Sequence, residues 1–165
     1  MGIAKIYSAP IRILKDVQIL IVDNDSDSRY LYTLLLEDLG ANVKATGSVG
    51  QALRFLDRFV PDILISEIKF RGESVAPLMQ RLKDLAIANS STIPIMVTST
   101  CSKNSLDQYL KVGIEAYLIK PIDIDDFVFN IWNLVLLKKI SHPYSIQEWR
   151  DTPKIIGKNY EELIE

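Results

Sequence analysis

The chain has 165 residues, 48% hydrophobic and 24% charged. That balance excludes a disordered or collagen-like polymer and supplies enough apolar side chains for one real core. Nineteen Lys and Arg against 21 Asp and Glu leave a net charge of −2, which makes no bulk electrostatic case for nucleic acid or an anionic membrane. A single cysteine, Cys101, and a single histidine, His142, exclude a disulfide framework, a Cys- or His-rich zinc site and a Ser-His-Asp triad. No apolar run approaches the ~18 residues of a membrane span, and no signal-peptide core opens the chain. The expected setting is the reducing cytoplasm.

Short apolar runs alternate with helical patterns. Val17–Val22, apolar at nearly every position, predicts a strand buried on both faces. After the acidic loop Asp23-Asn24-Asp25 comes a helix with Leu31, Leu34, Leu35 and Leu39 at helical spacing, stopped by Gly40. Asp25 and Asp27 suit its N-terminus. Val43–Ala45 predicts a short strand. Ser48 can cap a helix carrying Val49, Ala52, Leu53 and Leu56, which ends before Pro61. A third strand starts at Ile63 and runs to Glu67, and a helix follows from about Ser74 to Ala88. Ile95–Val97 predicts the fourth strand, Leu106–Val112 a short helix stopped by Gly113, Tyr117–Ile119 the fifth strand, and Asp125–Lys139 the last long helix.

Five consecutive β-then-α units predict an α/β fold: a doubly wound, five-stranded parallel sheet with helices on both faces. A ligand or chemical site then belongs at the carboxyl edge of the strands. The residues available there are Asp23, Asn24, Glu67, Thr98 and Lys120.

The runs Ile19–Asp25, Pro61–Glu67, Val97-Thr98-Ser99 and Gly113–Pro121, in this order and spacing, resemble the receiver domain of response regulators. The resemblance covers residues 17 to about 138. It implies the strand order 2-1-3-4-5, an N-terminal extension over 1–16, a receiver-like domain over 17–139 and a C-terminal extension over 140–165. It also implies a working pocket: an acidic pair that holds Mg²⁺, a phospho-accepting aspartate ending the third strand, a hydroxyl ending the fourth, and a lysine before a usually cis proline. Tyr117 stands at the switch aromatic. Thr98 has the expected spacing to Lys120, whereas counting from Pro94 favours Ser99, so both stay open as the switch hydroxyl.

Against that pattern, Glu67 stands where the aspartate belongs, its carboxylate reaching on the order of 1.5 Å further. In-line transfer tolerates little such error; ~1 Å can cost about 100-fold. Asn24 replaces the acidic residue that would grip the metal directly, and Lys69 and Arg71 add positive charge beside it. The expectation is a degenerate pocket, with catalysis absent, Mg²⁺ binding weak or absent (Asp23 and Glu67 being the remaining weak ligands), and Glu67 paired with Lys120. The domain then acts in signalling through protein–protein contacts. The alternatives are a regulator still phosphorylated by a histidine kinase and, from another class, a flavodoxin-like cofactor binder or enzyme. The latter would need a Gly- and hydroxyl-rich phosphate loop after the first strand, where this chain has Asp23-Asn24-Asp25-Ser26-Asp27.

The last helix is apolar on two sides. Phe127, Ile131, Leu134 and Val135 suit the sheet, and Val128, Phe129, Trp132, Leu136 and Leu137 need a second cover. Two covers are open: the tail beyond residue 140 folding back, or a partner (a signalling protein, a kinase or a second subunit) docking there. Cys101 reads as an inert buried thiol, and the apolar residues among the first 16 suit an edge strand or a partner surface.

Overall fold

The computed structural model describes residues 12–101 and 113–140. In chain order the elements are β1 (Gln18–Val22), α1 (Ser26–Asp38), β2 (Asn42–Thr46), α2 (Val49–Phe55), β3 (Ile63–Ser66), α3 (Ala76–Ala88), β4 (Ile95–Ser99), β5 (Ala116–Ile119) and α4 (Ile124–Ile140). The sheet runs β2-β1-β3-β4-β5, with every pair parallel, as the alternation of patterns predicts. The helix expected over Leu106–Val112 and the segment beyond residue 140 lie outside the described residues.

Local chemistry sets the helix ends. Asp25 caps α1, its carboxylate accepting from the N–H groups of Asp27 and Ser28. Gly40 (φ +98°) closes it: Gly40 N–H bonds the Glu37 carbonyl and Ala41 N–H the Leu36 carbonyl, a pairing that requires a left-handed residue after the helix. Ser48 caps α2 through the Gln51 N–H.

Strand alternation divides the interior in two. One face of the sheet carries Ile19, Ile21, Ile63, Ile65 and Met96 against α1 and α4; the other carries Leu20, Val22, Leu64, Ile95 and Val97 against α2 and α3. Three sequence expectations shift. First, α1 buries Tyr32 and Leu36, whereas Leu31 and Leu34 are exposed, Leu34 to 55%. The inward stripe is centred one residue away from the leucine pattern and uses a tyrosine that apolar counting overlooks; Leu35 and Leu39 still pack against the core. Second, Leu14 is fully buried in the α1/α4 core, and its N–H bonds the Leu39 carbonyl at 2.9 Å. The described part of the N-terminal segment therefore packs as a turn under α1 and is not an edge strand. Third, Val128 and Trp132 of α4, expected to need a cover from the tail or a docking partner, are buried in the same cluster as Leu14 and Val17. Phe129 and Leu136 are partly buried, and Leu137 is exposed.

Leu14→Ala is expected to cost about 3 kcal/mol, as for a buried leucine that leaves a cavity. Leu34→Ala should stay within about 0.5 kcal/mol. Urea unfolding of the two variants checks this assignment; equal losses would contradict the phase of α1.

Candidate functional site

Parallel pairing brings the ends of β1, β3, β4 and β5 to one edge, and the polar residues singled out in the sequence meet there. Asp23 follows β1, Glu67 follows β3, Thr98 and Ser99 end β4, and Lys120 follows β5. Asp23 and Glu67 are 1% and 4% exposed, unusual burial for carboxylates. Between them lies the Lys120 ammonium, 2.7 Å from Asp23 Oδ2 and 3.4 Å from Glu67 Oε2. The expected Glu67–Lys120 pair is present, and Asp23 is the nearer partner.

The remaining carboxylate oxygens are satisfied by backbone. Asp23 Oδ1 accepts from the Asp25 N–H at 2.8 Å. Glu67 Oε1 turns back on its own loop and accepts from Ile68 N–H at 2.7 Å and Lys69 N–H at 3.0 Å. Burial pushes the Asp23 carboxyl up from its usual range, with the Lys120 hydrogen bond opposing. For Lys120, burial works to lower the ammonium, but the bond to Asp23 and the charges of both carboxylates outweigh it and hold the group above its usual range.

The β4 hydroxyls divide between the two faces of the sheet. Thr98 shares the face of Met96, and Ser99 that of Val97 and Tyr117. Ser99 Oγ accepts from the Cys101 N–H at 3.2 Å. Thr98 Oγ1 is buried without a hydrogen-bond partner among the described residues. The Tyr117 hydroxyl donates to the Cys101 carbonyl, which ties the aromatic to the loop after β4. The Lys120–Pro121 bond is cis.

Sequence reasoning missed three contributors, Arg29, Glu73 and Tyr32, and had Lys69 only as a nearby positive charge. Arg29 of α1 donates to the Asp23 carbonyl at 2.6 Å and lies over Gly47, where a Cβ would come within 2.8 Å of its guanidinium. Glu73 reaches the start of α2, accepting from Val49 N–H at 3.1 Å. Tyr32 stacks on Phe127, with ring centroids 4.6 Å apart. The Lys69 ammonium beside the Cys101 thiol holds it below its ordinary range. Only Tyr32 had a signal available, as a phenol at helical spacing from Leu36.

A divalent cation needs several free, hard oxygen ligands, and the oxygens at this edge are largely engaged within the chain. Both Asp23 oxygens are engaged, Glu67 Oε1 is committed to its own loop, and Asn24 turns its amide N–H onto the Lys69 carbonyl at 3.2 Å. No group of three or more His, Cys, Asp and Glu able to hold a metal occurs among the described residues. Beside the pocket lies a cleft of about 660 Å³, lined by Asn24, Lys69, Phe70, Arg71, Glu73 and Thr100 among others. Among the described residues no helix is long and apolar enough to cross a membrane.

Comparison with known proteins agrees with this fold. A 14.6 kDa protein of Leptolyngbya boryana is 32% identical over 111 residues, covering 67% of this chain and 83% of that protein. The transcriptional regulatory protein ZraR of Escherichia coli K12 is 27% identical over 146 residues, and the chain spans 31% of that protein's length. Among solved structures, a CheY-like response regulator receiver domain protein from Methanospirillum hungatei superposes with a TM-score of 0.68 at 20% identity, covering 77% of this chain and 99% of that one. A two-component response regulator from Clostridium difficile gives 0.64 at 21%, covering 73% and 97%. Residues 19–131 match the response regulator receiver domain profile, and the chain belongs to that family.

Proposed function

We propose that this receiver domain of two-component signalling acts through protein–protein contacts independently of phosphorylation at residue 67. One observation carries the reading: Lys120 already bridges Asp23 and Glu67, so the group that would receive an incoming phosphoryl oxygen is taken by the chain's own carboxylates. Glu67 also brings a negative charge toward the place a phosphoryl group would fill, a partial and permanent substitute carrying one charge where an acyl phosphate carries up to about two. The partner is a signalling protein. Support comes from the regulatory nature of the family and from relatives that include the hybrid signal transduction histidine kinase D of Dictyostelium discoideum, of which the chain spans 8%.

A second reading, a phosphorylation-competent regulator, is favoured by Thr98, whose buried hydroxyl lacks a partner and could bond an incoming oxygen. One experiment separates the two. Incubated with Mg²⁺ and acetyl phosphate or beryllofluoride, the wild-type chain is expected to stay unmodified and unbound in intact-mass and fluorine NMR spectra. A phosphoprotein at Glu67 would establish the second reading. Glu67→Asp restores acceptor length without a metal ligand and should remain unmodified, whereas Glu67→Asp with Asn24→Asp should gain the reaction.

The network itself is testable through stability. Lys120→Gln leaves two buried carboxylates without their cation and is expected to destabilise by about 3 kcal/mol near neutral pH. A carboxyl whose folded pKa lies above its unfolded value costs stability above that folded pKa, and the cost disappears as pH falls through it. Because Asp23 is raised, and further raised without Lys120, the gap between variant and wild type should narrow as the pH is lowered. Urea titrations across the acidic range check this; a gap independent of pH would contradict the role given to Asp23.

A further inference from the structure

The loop after β3 meets the loop after β1 at a contact between side chain and backbone. Asn24 Nδ2 donates to the Lys69 carbonyl across 3.2 Å. Around it, Glu67 Oε1 holds the N–H groups of Ile68 and Lys69, Lys120 joins Asp23 to Glu67, and Glu73 anchors the far end of the loop on the Val49 N–H. Acceptor oxygens dominate this edge: the carboxylates of Asp23, Asp25 and Glu67 and the carbonyl of Lys69. Oxygens so arranged repel unless a donor or a cation stands between them.

We propose that Asn24, together with Lys120, takes the place of a divalent cation in this pocket, so that the loop from Glu67 to Glu73 keeps one closed conformation without metal. The inference rests on the phosphorylation-independent reading and deepens it by naming the residue that decides metal dependence. The physical reason lies in the amide. It has N–H donors and can bond the Lys69 carbonyl directly. A carboxylate at the same position has only acceptors, so it would face that carbonyl oxygen to oxygen, and a cation would have to bridge them. Asn24→Asp thus exchanges a hydrogen-bonded staple for a metal-dependent one, through a change of one side-chain atom and its protons.

The test uses the full chain as wild type, Asn24→Asp and Asn24→Ala. Thermal unfolding is followed in EDTA and in rising Mg²⁺, with calorimetric titration of Mg²⁺ and amide hydrogen exchange at Ile68 and Lys69. Wild type should melt at the same temperature in EDTA and in Mg²⁺. Asn24→Asp should melt lower in EDTA, recover with Mg²⁺, and bind the ion at least about tenfold more tightly than wild type, as expected when a carboxylate joins a hard-cation site. Asn24→Ala should exchange the Ile68 and Lys69 amides faster than wild type and ignore Mg²⁺. A wild type stabilised by Mg²⁺ as strongly as Asn24→Asp would overturn the inference, as would amide exchange unchanged in Asn24→Ala; the exchange arm stands even where Asn24→Asp fails to fold. Failure here is distinguishable from failure of the functional reading. A metal-responsive wild type that accepts no phosphoryl group overturns this inference alone, whereas a phosphorylated Glu67 overturns the reading beneath it.

Discussion

The organising interaction of this molecule is a single ammonium group placed between two buried carboxylates. Asp23 and Glu67 lie almost out of reach of water, where an unpaired charge is expensive. One cation cannot cancel two anions, so the remainder is distributed over backbone donors: Asp25 N–H on Asp23, and Ile68 and Lys69 N–H on Glu67. Such a network contributes little net stability over a well-packed apolar alternative, but removing any one member leaves the others stranded. It joins the loops that follow β1, β3 and β5.

The rest of the fold delivers those loops to one place. A parallel sheet puts every strand's carboxyl end on the same edge, and its two apolar layers leave no other outlet for buried polar groups. Local chemistry then sets each entry: Asp25 starts α1 immediately after Asp23, so the same short turn serves as helix cap and as pocket wall. Arg29, one turn along, holds the Asp23 carbonyl. Glu67, one methylene longer than an aspartate, is bonded to its own loop's N–H groups. Asp23, Lys120 and Glu67 therefore belong to one hydrogen-bonded arrangement, with Asn24 bonding the Lys69 carbonyl beside it.

The aromatic of β5 follows the same logic. Tyr117 is bonded through its hydroxyl to the Cys101 carbonyl, which ties it to the loop after β4, and the Lys69 ammonium beside the Cys101 thiol lowers that thiol's pKa. The Lys69 residue also carries the carbonyl held by Asn24.

Much of this was legible without coordinates, for a definite reason. Buried parallel strands are written as continuous apolar runs, and helices as periodic ones punctuated by Gly40, Ser48 and Pro61. The order of those runs, with Asp23, Glu67 and Lys120 at their ends, is enough to predict the sheet and its working edge. Tertiary structure decided what periodicity does not encode: distances between loops far apart in sequence. Asn24 and Lys69 are 45 residues apart and Val49 and Glu73 are 24 apart, and neither pairing follows from residue type. Nor does the pattern show which of two apolar stripes on α1 turns inward, because Leu31, Leu34, Leu35 and Leu39 satisfy helical spacing as well as Tyr32 and Leu36 do. Packing against Phe127 and the sheet turned Tyr32 and Leu36 inward with Leu35 and Leu39 at their flank and left Leu31 and Leu34 outside, and Leu14, Val128 and Trp132 are buried in the same layer. Sequence determines which residues want to leave water; only the fold determines which neighbours they find when they do.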